Sequence, residues 1–398
     1  GIEVRLLSGV EEAFYDYFTV VNSIDIKDGL IIDIGGASIE LVWLKDRAIL
    51  KSISLPIGAL TLASQFDLTN EVNQTTEKKM MDYLWDYFSS ISWLKQINSN
   101  ILIGIGGSIR NIAKIQKKLD NYPITQIHNY EITTTHINSI YSLLKQKNLK
   151  QRKKVKGLSE NRADIIIGVT AVLSTLTKIC GIKKIIISGK GIREGLIYSH
   201  IHGEDAITAD VLDYSLFNLL SQKNSSMQHA MHVFELAKSL HSQLKVFFKN
   251  KNLDKILKTA SILHDIGVSI TYYDHHKHSF YMILNSQLNG LSQKELVMSA
   301  YIALLHRNKP DKLNVSMHNS ILEDQDIETI IKLGIILRLV ESFDRGMTGV
   351  IEAVEVHIES SFIKIKTIHF GNAQLELNEA RKASESFKDI FGYDLIIE

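Results

Sequence analysis

Residues 31–42 read IIDIGGASIELV, a pattern typical of a strand, a diglycine turn and a second strand. Asp33 lies near the end of the first strand, and Ser38 and Glu40 can share one face of the second by strand alternation. The two glycines lack Cβ, so the turn can present bare N–H groups to an anionic oxygen. Alone, the segment predicts either a phosphate-binding turn or an ordinary hairpin.

Two further glycine turns follow apolar strands later in the chain. One is residues 101–108 (ILIGIGGS), which lead into a predicted helix. The other is residues 184–196 (KIIISGKGIREGL), with Lys190 and Arg193 beside the glycines. A helix N-terminus behind a glycine turn favours an anion. Three such turns after three strands favour the phosphate-binding interpretation.

The order of these segments resembles the exopolyphosphatase and guanosine pentaphosphate phosphatase family (Ppx/GppA). The likeness rests on Ser8-Gly9 before Glu11-Glu12-Ala13, the segment 33–40, Gly106-Gly107-Ser108, Gly157-Leu158 with Arg162-Ala163, and Ser188 to Gly195. The resemblance implies an α/β actin-like (ribonuclease-H-like, ASKHA) phosphatase domain. Such proteins remove the terminal phosphate from inorganic polyphosphate or from guanosine pentaphosphate.

The resemblance also implies roles for residues of the first half of the chain. Glu12 matches the general base, while Asp33 and Glu40 would hold Mg²⁺ directly or through water. The implied phosphate ligands are Gly35, Gly36, Ser38, Gly107, Ser108 and Arg193. For Arg193, the alternative is a structural role that braces the turn. Without the resemblance, Glu11 and Glu12 would be interpreted as a solvated helix face.

The chain departs from the family pattern at its start and in its diglycine turn. It opens at Gly1 without the family's first phosphate loop. We therefore expect that a block of about a hundred residues, a typical domain's worth, precedes it in relatives and carries half of the phosphate clamp. Ala37 stands where the family usually has a third glycine, which should restrict the turn without abolishing it.

Composition fits an ordinary globular protein. The chain has 398 residues, 45% hydrophobic and 22% charged, which is enough for two or three domains. A net charge of +1 argues against a specific nucleic-acid binder. Cys180 is the one cysteine, which excludes an internal disulfide framework and favours the cytoplasm. Without a signal peptide or a span-length apolar stretch, we expect no membrane partner.

Periodicity divides the chain into three predicted domains. Residues 1–203, which carry the phosphatase resemblance, alternate strands and helices, 204–347 are all-α, and 348–398 form a small α+β piece, with the first boundary near Gly203-Glu204-Asp205. Strands are predicted over 29–44, 48–55, 350–358 and 362–368, and helices over 72–96, 132–147, 229–249, 253–263, 294–305, 327–343 and 379–390.

The helical region carries a second group of candidate site residues, which are His229, the doublet His264-Asp265, and Asp344. Imidazole and carboxylate ligands from separate helices can converge on a divalent cation. Their order resembles the HD phosphohydrolases, which implies an HD-like domain over 204–347 with a metal site at these four residues. Residues 275–279 and His306-Arg307 also match what long Ppx/GppA relatives carry in their HD-like domain, where the site is often degenerate. For His229, a capping or packed imidazole is the alternative.

Two positively charged segments offer other contacts for a polyanion. His275, His276 and His278 beside Lys277 favour a polar loop that touches phosphate over three metal ligands. A basic run places seven cations in twelve residues: Lys145, Lys147, Lys150, Arg152, Lys153, Lys154 and Lys156. Such a run is usually a solvated loop. In a nearly neutral chain it also offers a track for polyphosphate.

Three functions remain open from the sequence. The leading one is Mg²⁺-dependent hydrolysis of a terminal phosphoanhydride, in polyphosphate or guanosine pentaphosphate, since both present the same group to the same loops. The second is nucleotide phosphohydrolysis at the HD-like site with another divalent metal. The third is a non-catalytic regulator that binds polyphosphate or an alarmone. The family likeness also implies a homodimer.

Overall fold

The computed structural model describes two compact units, Gly1–Val211 and Leu212–Glu398. The residues described are 4–203, 207–223, 225–250, 252–307 and 313–398. The first unit is α/β and the second is mainly helical, so the predicted succession of these two classes is confirmed. Glu204 and Asp205, at the predicted boundary, lie outside the described residues.

The first unit is built around one mixed sheet. In chain order its elements are α1 (Gly9–Val21), β1 (Gly29–Ile34), β2 (Ile39–Lys45), β3 (Ala48–Leu55), α2 (Ala59–Gln65), α3 (Gln74–Ser89), β4 (Ile101–Ile105), α4 (Gly106–Leu119), β5 (Tyr130–Thr133), α5 (Thr134–Lys145), α6 (Leu149–Arg152), α7 (Ile166–Ile179), β6 (Lys184–Ile187) and α8 (Ile192–His202). The strand order is β3-β2-β1-β4-β6-β5. β4 is parallel to both β1 and β6. The carboxyl ends of the three strands before the glycine turns therefore meet at one end of the sheet.

Alternating side chains of the central strands pack into two hydrophobic cores, one on each face of the sheet. Leu30 and Ile32 join the core on the face covered by α3, α4, α5 and α7, whereas Ile31 joins the core under α1. Helix α7 is buried on every side from Ile166 to Thr177. Since a helix that is apolar all round has no amphipathic period, the sequence pattern does not mark it as a helix.

The second unit combines a helical bundle with a small sheet. Its elements are α9 (Val211–Gln222), α10 (Met227–Gln243), α11 (Asp254–Leu263), α12 (His275–Asn285), α13 (Gln293–Leu305), α14 (Asp324–Phe343), β7 (Ile351–Ile358), β8 (Phe362–His369), α15 (Gln374–Arg381), α16 (Ser384–Phe391) and β9 (Asp394–Ile397). The Gln243 side chain of α10 donates to the carbonyl of Val354 at 2.9 Å and accepts from the N–H of Val356 at 2.8 Å. The C-terminal α+β piece thus joins the bundle within one compact unit.

Several predicted boundaries shift in the structure. The helix predicted over 72–96 ends earlier, at Ser89, and the one over 132–147 begins only at Thr134, because residues 130–133 pair with β6 as an edge strand. The helix predicted over 379–390 is split into α15 and α16 around Lys382 and Ala383.

Arg152 does not belong to a surface track of cations. It is 0% exposed, and its guanidinium donates to five backbone carbonyl oxygens in the surrounding loops. The acceptors are those of Lys147, Ala163, Leu68, Thr69 and Asn70, at 2.6 to 3.1 Å. Lys145 is also engaged, in an ion pair with Glu77 at 2.8 Å. The proposed polyanion track therefore loses two of its seven members.

Replacing Arg152 by methionine should lower the free energy of unfolding by about 3 kcal/mol, because buried carbonyls would lose a charged donor. Urea denaturation measures the change. Lys153→Met, at an exposed neighbour, is the matched control and should change stability by less than about 0.5 kcal/mol. Equal effects of the two substitutions would contradict the bracing role of Arg152.

His128 links two loops of the first unit in its neutral form. Its Nδ1 accepts from the Gly189 N–H at 3.3 Å, so Nε2 carries the proton and donates to the Ser23 carbonyl at 3.1 Å. Burial, reinforced by the nearby charge of Lys190, lowers the pKa of His128 to about 4. The unfolded chain therefore takes up this proton at a higher pH than the folded chain does.

We expect the unfolding free energy to fall as the pH drops from about 6.5 to about 4, by at most about 3.4 kcal/mol for this group. Urea midpoints measured across this range, for the wild type and for His128→Gln, isolate the contribution. The variant, which does not titrate at this position, should show a shallower slope. An unchanged slope would show that His128 titrates alike in both states.

Candidate functional sites

The carboxyl ends of β1 and β4 bring Asp33 to the start of a helix. Asp33 lies opposite Glu40 of β2 and beside Ile105 of β4. The next residue, Gly106, opens α4 with φ +87°, and a Cβ there would lie 2.2 Å from Asp33 Oδ1. Only glycine therefore lets the Asp33 carboxylate lie this close to the N-terminus of α4.

Helix α1 adds two more acids to this end of the sheet. Glu12 and Asp16 are four residues apart, which places them on one helix face. The neighbouring Glu11 is engaged elsewhere, since its carboxylate accepts from the N–H and hydroxyl of Ser8 in a capping box. On β2, Glu40 accepts from the Ser54 hydroxyl at 2.8 Å.

The four acids Glu12, Asp16, Asp33 and Glu40 (the carboxylate cluster) are short of positive charge. Burial and the charge of Glu40 raise the pKa of Asp33 to about 6, and the same two causes raise the pKa of Glu12. Asp16 is 1% exposed, its pKa is raised well above the usual range by burial and then by Asp33, and neither of its carboxylate oxygens has a hydrogen-bond partner among the described residues. Such a cluster favours the uptake of a cation or a proton.

Arg110 of α4 is a cation whose charge opposes the upward shift of the Asp33 pKa. Its guanidinium donates to the carbonyls of Gly106 at 3.3 Å and Gly189 at 3.0 Å, which ties the second glycine turn to the third. Sequence analysis missed both Arg110 and Asp16. The four-residue spacings from Gly106 and from Glu12 are the signals that could have found them.

The diglycine turn is braced from behind by α2. The Gly35 N–H donates within the turn, to the Ser38 carbonyl at 2.9 Å, so it is already engaged. The carbonyls of Gly35 and Gly36 accept from the first amides of α2, those of Ala59 and Leu60, at 2.9 and 2.8 Å. The Ser38 side chain is half-buried beside these groups.

The other implied phosphate ligands lie in different surroundings. Ser108 is 1% exposed, and its hydroxyl accepts from Arg162 at 2.8 Å. A Cβ at Gly107 would lie 2.5 Å from the same guanidinium. Arg162 therefore lies directly against the second glycine turn. Arg193 is exposed in the first turn of α8.

In the second unit, the predicted metal candidates do come together. His229 Nε2 lies 3.3 Å from His264 Nε2 and 4.0 Å from Asp265 Oδ2. These three residues offer ligand atoms that all lie within 4.8 Å of one another. Asp344 differs from the prediction: its Oδ2 lies 2.7 Å from Nδ1 of His229, on the far side of that ring, so it orients His229 and is not among the converging ligand atoms.

Two histidines outside the predicted set complete the cluster. His275 Nε2 lies 3.0 Å from Asp265 Oδ1 and 3.1 Å from Nε2 of His306. The prediction of a polar loop at 275–278 is wrong, because these residues open α12 and both His275 and His276 are buried. We call His229, His264, Asp265, His275 and His306 the histidine cluster.

Charge within the histidine cluster centres on Asp265. Although burial opposes it, the imidazoles of His264, His275 and His306 hold the pKa of the Asp265 carboxyl well below its usual range. Burial lowers the pKa of His264 to about 4. Although burial opposes it, the hydrogen bond to Asp344 raises the pKa of His229, and the hydrogen bond to Asp265 raises the pKa of His275. Asp265 is therefore an ionised carboxylate among imidazoles of different proton affinity, and imidazole with carboxylate is a donor set suited to a transition-metal ion.

Among the helices that the structure describes, none has the length and apolar character needed to span a bilayer.

Comparison with known protein families gives a match for each of the two units. Residues 1–204 match the Ppx/GppA phosphatase family, and residues 213–381 match domain III of Ppx/GppA phosphatases.

Individual relatives share between 23% and 31% of their aligned residues with this chain. The chain is 27% identical over 354 residues to a guanosine-5'-triphosphate,3'-diphosphate pyrophosphatase of Pseudoalteromonas translucida, covering 85% of this chain and 67% of the relative. It is 31% identical over 193 residues to a bifunctional 3-dehydroquinate synthase/phosphatase of Fusobacterium nucleatum, covering 47% of this chain and 29% of that relative. A crystal structure of an exopolyphosphatase from Cytophaga hutchinsonii aligns at 23% identity with a TM-score of 0.47, over 51% of this chain and 66% of that one.

Proposed function

Because the chain belongs to the Ppx/GppA phosphatase family, we propose that its α/β unit carries out Mg²⁺-dependent hydrolysis of a terminal phosphoanhydride. The substrate would be inorganic polyphosphate or guanosine pentaphosphate, which share the reacting group. The observation that carries the proposal is the carboxylate cluster beside the N-terminus of α4, in which the oxygens of Asp16 find no hydrogen-bond partner among the residues that the structure describes. Homodimerisation and a cytoplasmic location stay predictions.

The cluster fits a hard divalent cation. Asp33 and Glu40 would hold Mg²⁺, whose preferred ligands are oxygen atoms, and the buried Asp16 carboxylate adds negative charge that needs a positive counterpart. When bound, Mg²⁺ would supply charge neutralisation for the phosphate. The carboxylates would thus position the ion, while other residues would accept the proton and bind the phosphate oxygens.

Glu12 is the proposed general base. Burial and the charge of Glu40 raise its pKa, which makes it a stronger base than an exposed glutamate. Its carboxylate would take a proton from water as the water oxygen attacks the terminal phosphorus and the bridging P–O bond breaks. The first amides of α4, and Arg110 where it faces Asp33, would favour the negative charge of the phosphoryl oxygens.

We expect Glu12→Gln to reduce phosphate release by about 100-fold or more while leaving the melting temperature unchanged, since only the proton acceptor is lost. The measurement is release of orthophosphate from long-chain polyphosphate and from guanosine pentaphosphate by the full-length protein with Mg²⁺. The matched control is Glu11→Gln, because glutamine also serves in the capping box and that side chain faces Ser8.

A Glu12→Gln variant that turns over at the wild-type rate would remove Glu12 from the mechanism. Absence of release by the wild type from either substrate, together with retained polyphosphate binding, would favour the non-catalytic regulator instead.

A further inference from the structure

We propose that Ser54 is a positioning residue: its hydroxyl fixes the Glu40 carboxylate in the orientation that binds Mg²⁺, and Gly9 of α1 leaves the space for this contact. Ser54 is not among the residues that the family resemblance marks. The inference rests on the proposed function in one respect, which is the assignment of Glu40 as a ligand of Mg²⁺. It does not depend on which phosphoanhydride is hydrolysed.

Strand pairing places Ser54 directly beside Glu40. The two residues are partners in the antiparallel register of β2 and β3, so their side chains project from the same face of the sheet. The Ser54 hydroxyl donates to Oε1 of Glu40 at 2.8 Å. In the part of the chain that the structure describes, no other group donates a hydrogen bond to this carboxylate.

The Glu40 carboxylate depends on this one donor. Glu40 is 3% exposed, so bulk water is poorly placed to replace a lost hydrogen bond. Its charge also opposes those of the other members of the carboxylate cluster, Glu12, Asp16 and Asp33. A flexible glutamate side chain would turn away from such neighbours unless a donor held it. The hydroxyl of Ser54 has a single proton, which goes to Oε1, so Oε2 stays available to a cation.

Gly9 leaves the room that this hydrogen bond needs. It is the first residue of α1, and a Cβ at this position would lie 2.3 Å from Oγ and 2.5 Å from Cβ of Ser54. Both distances are far below the usual contact of non-bonded atoms, so a larger residue would displace the hydroxyl. The same Cβ would lie 3.9 Å from Oε1 of Glu40, which is an ordinary contact. The conflict would therefore fall on Ser54.

The contact between Gly9 and Ser54 also sets where the proposed base stands. Glu12 is three residues after Gly9, which puts both on one face of α1. Ser54 thus touches the helix that carries Glu12 and holds the carboxylate of Glu40 on the neighbouring strand. Outer groups that orient a metal ligand in this way commonly change metal affinity by about 10- to 100-fold when they are removed.

Stabilisation by Mg²⁺ tests the inference without relying on turnover. The melting temperature of the full chain is followed by circular dichroism as Mg²⁺ is raised at constant ionic strength, since an ion that binds only the folded state stabilises it. Mg²⁺ prefers oxygen ligands, so the histidine cluster should respond little to this probe. We expect Mg²⁺ to raise the melting temperature of the wild type, and we expect Glu40→Gln to lose most of this effect.

The Mg²⁺ dependence of three further variants identifies the role of Ser54. Ser54→Ala should need about tenfold more Mg²⁺ for the same rise in melting temperature. Gly9→Ala keeps the hydroxyl but displaces it, and should shift the dependence in the same direction. Ser52→Ala, which removes an exposed serine of the same strand, is the matched control and should leave the dependence unchanged.

A purely structural role for Ser54 would lower the melting temperature without Mg²⁺ and leave the dependence on Mg²⁺ as in the wild type. That result in Ser54→Ala, or the same Mg²⁺ dependence in the wild type and in Glu40→Gln, would overturn the inference.

Orthophosphate release by the same proteins, from polyphosphate and from guanosine pentaphosphate, separates this inference from the proposed function. We expect the rate of Ser54→Ala to reach half of its maximum at about tenfold more Mg²⁺ than that of the wild type. Absence of release by a wild type that Mg²⁺ stabilises would contradict the proposed hydrolysis, while the melting data would still decide the role of Ser54.

Discussion

The parallel pairing of β1, β4 and β6 is the constraint on which the α/β site depends. The register places Asp33 beside Ile105 and Gly104 beside Ile187, so each strand ends level with the next. Turns that are far apart in the chain then meet at one end of the sheet, as is general for ligand sites on parallel strands. The missing Cβ of Gly106 completes the approach, because any larger residue would displace Asp33.

Each unit gathers like groups that a protein core ordinarily keeps apart. The α/β unit buries carboxylates against one another, and the helical unit gathers four imidazoles around the Asp265 carboxylate. Burying ionisable groups costs free energy, because a medium of low polarity solvates their charged forms poorly. Clusters of this kind are typical of functional sites.

The sequence predicted much of this organisation, and its errors share a cause. Strands β1 to β3 and the glycine turns carry local patterns, and the His264-Asp265 doublet is visible as a doublet. Arg152 lies in a lysine-rich run and looks solvated, yet its burial is decided by carbonyls some eighty residues away in the chain. Asp16 similarly looks like one polar residue on an ordinary helix. Tertiary contacts, which leave no local pattern, decide both.

The histidine cluster illustrates the same division. His229 and Asp344 were both visible as candidates, but only the structure shows that one lies behind the other. His275 opens α12 and His306 follows the last residue of α13, and their meeting depends on how α12 packs against α13. Sequence analysis can therefore propose which chemistry is present, while the assignment of ligand and supporting roles requires the fold.

Contacts between the diglycine turn and α2, together with the planarity of the peptide bond, fix the direction of the amides in that turn. In a trans peptide the carbonyl and the next N–H point in opposite directions. Since the Gly35 and Gly36 carbonyls point toward α2, the amides of Gly36 and Ala37 must point away from it. Ala37 is not among the described residues with positive φ. An alanine there supplies the same outward N–H as a glycine, so the family's third glycine is dispensable in this turn.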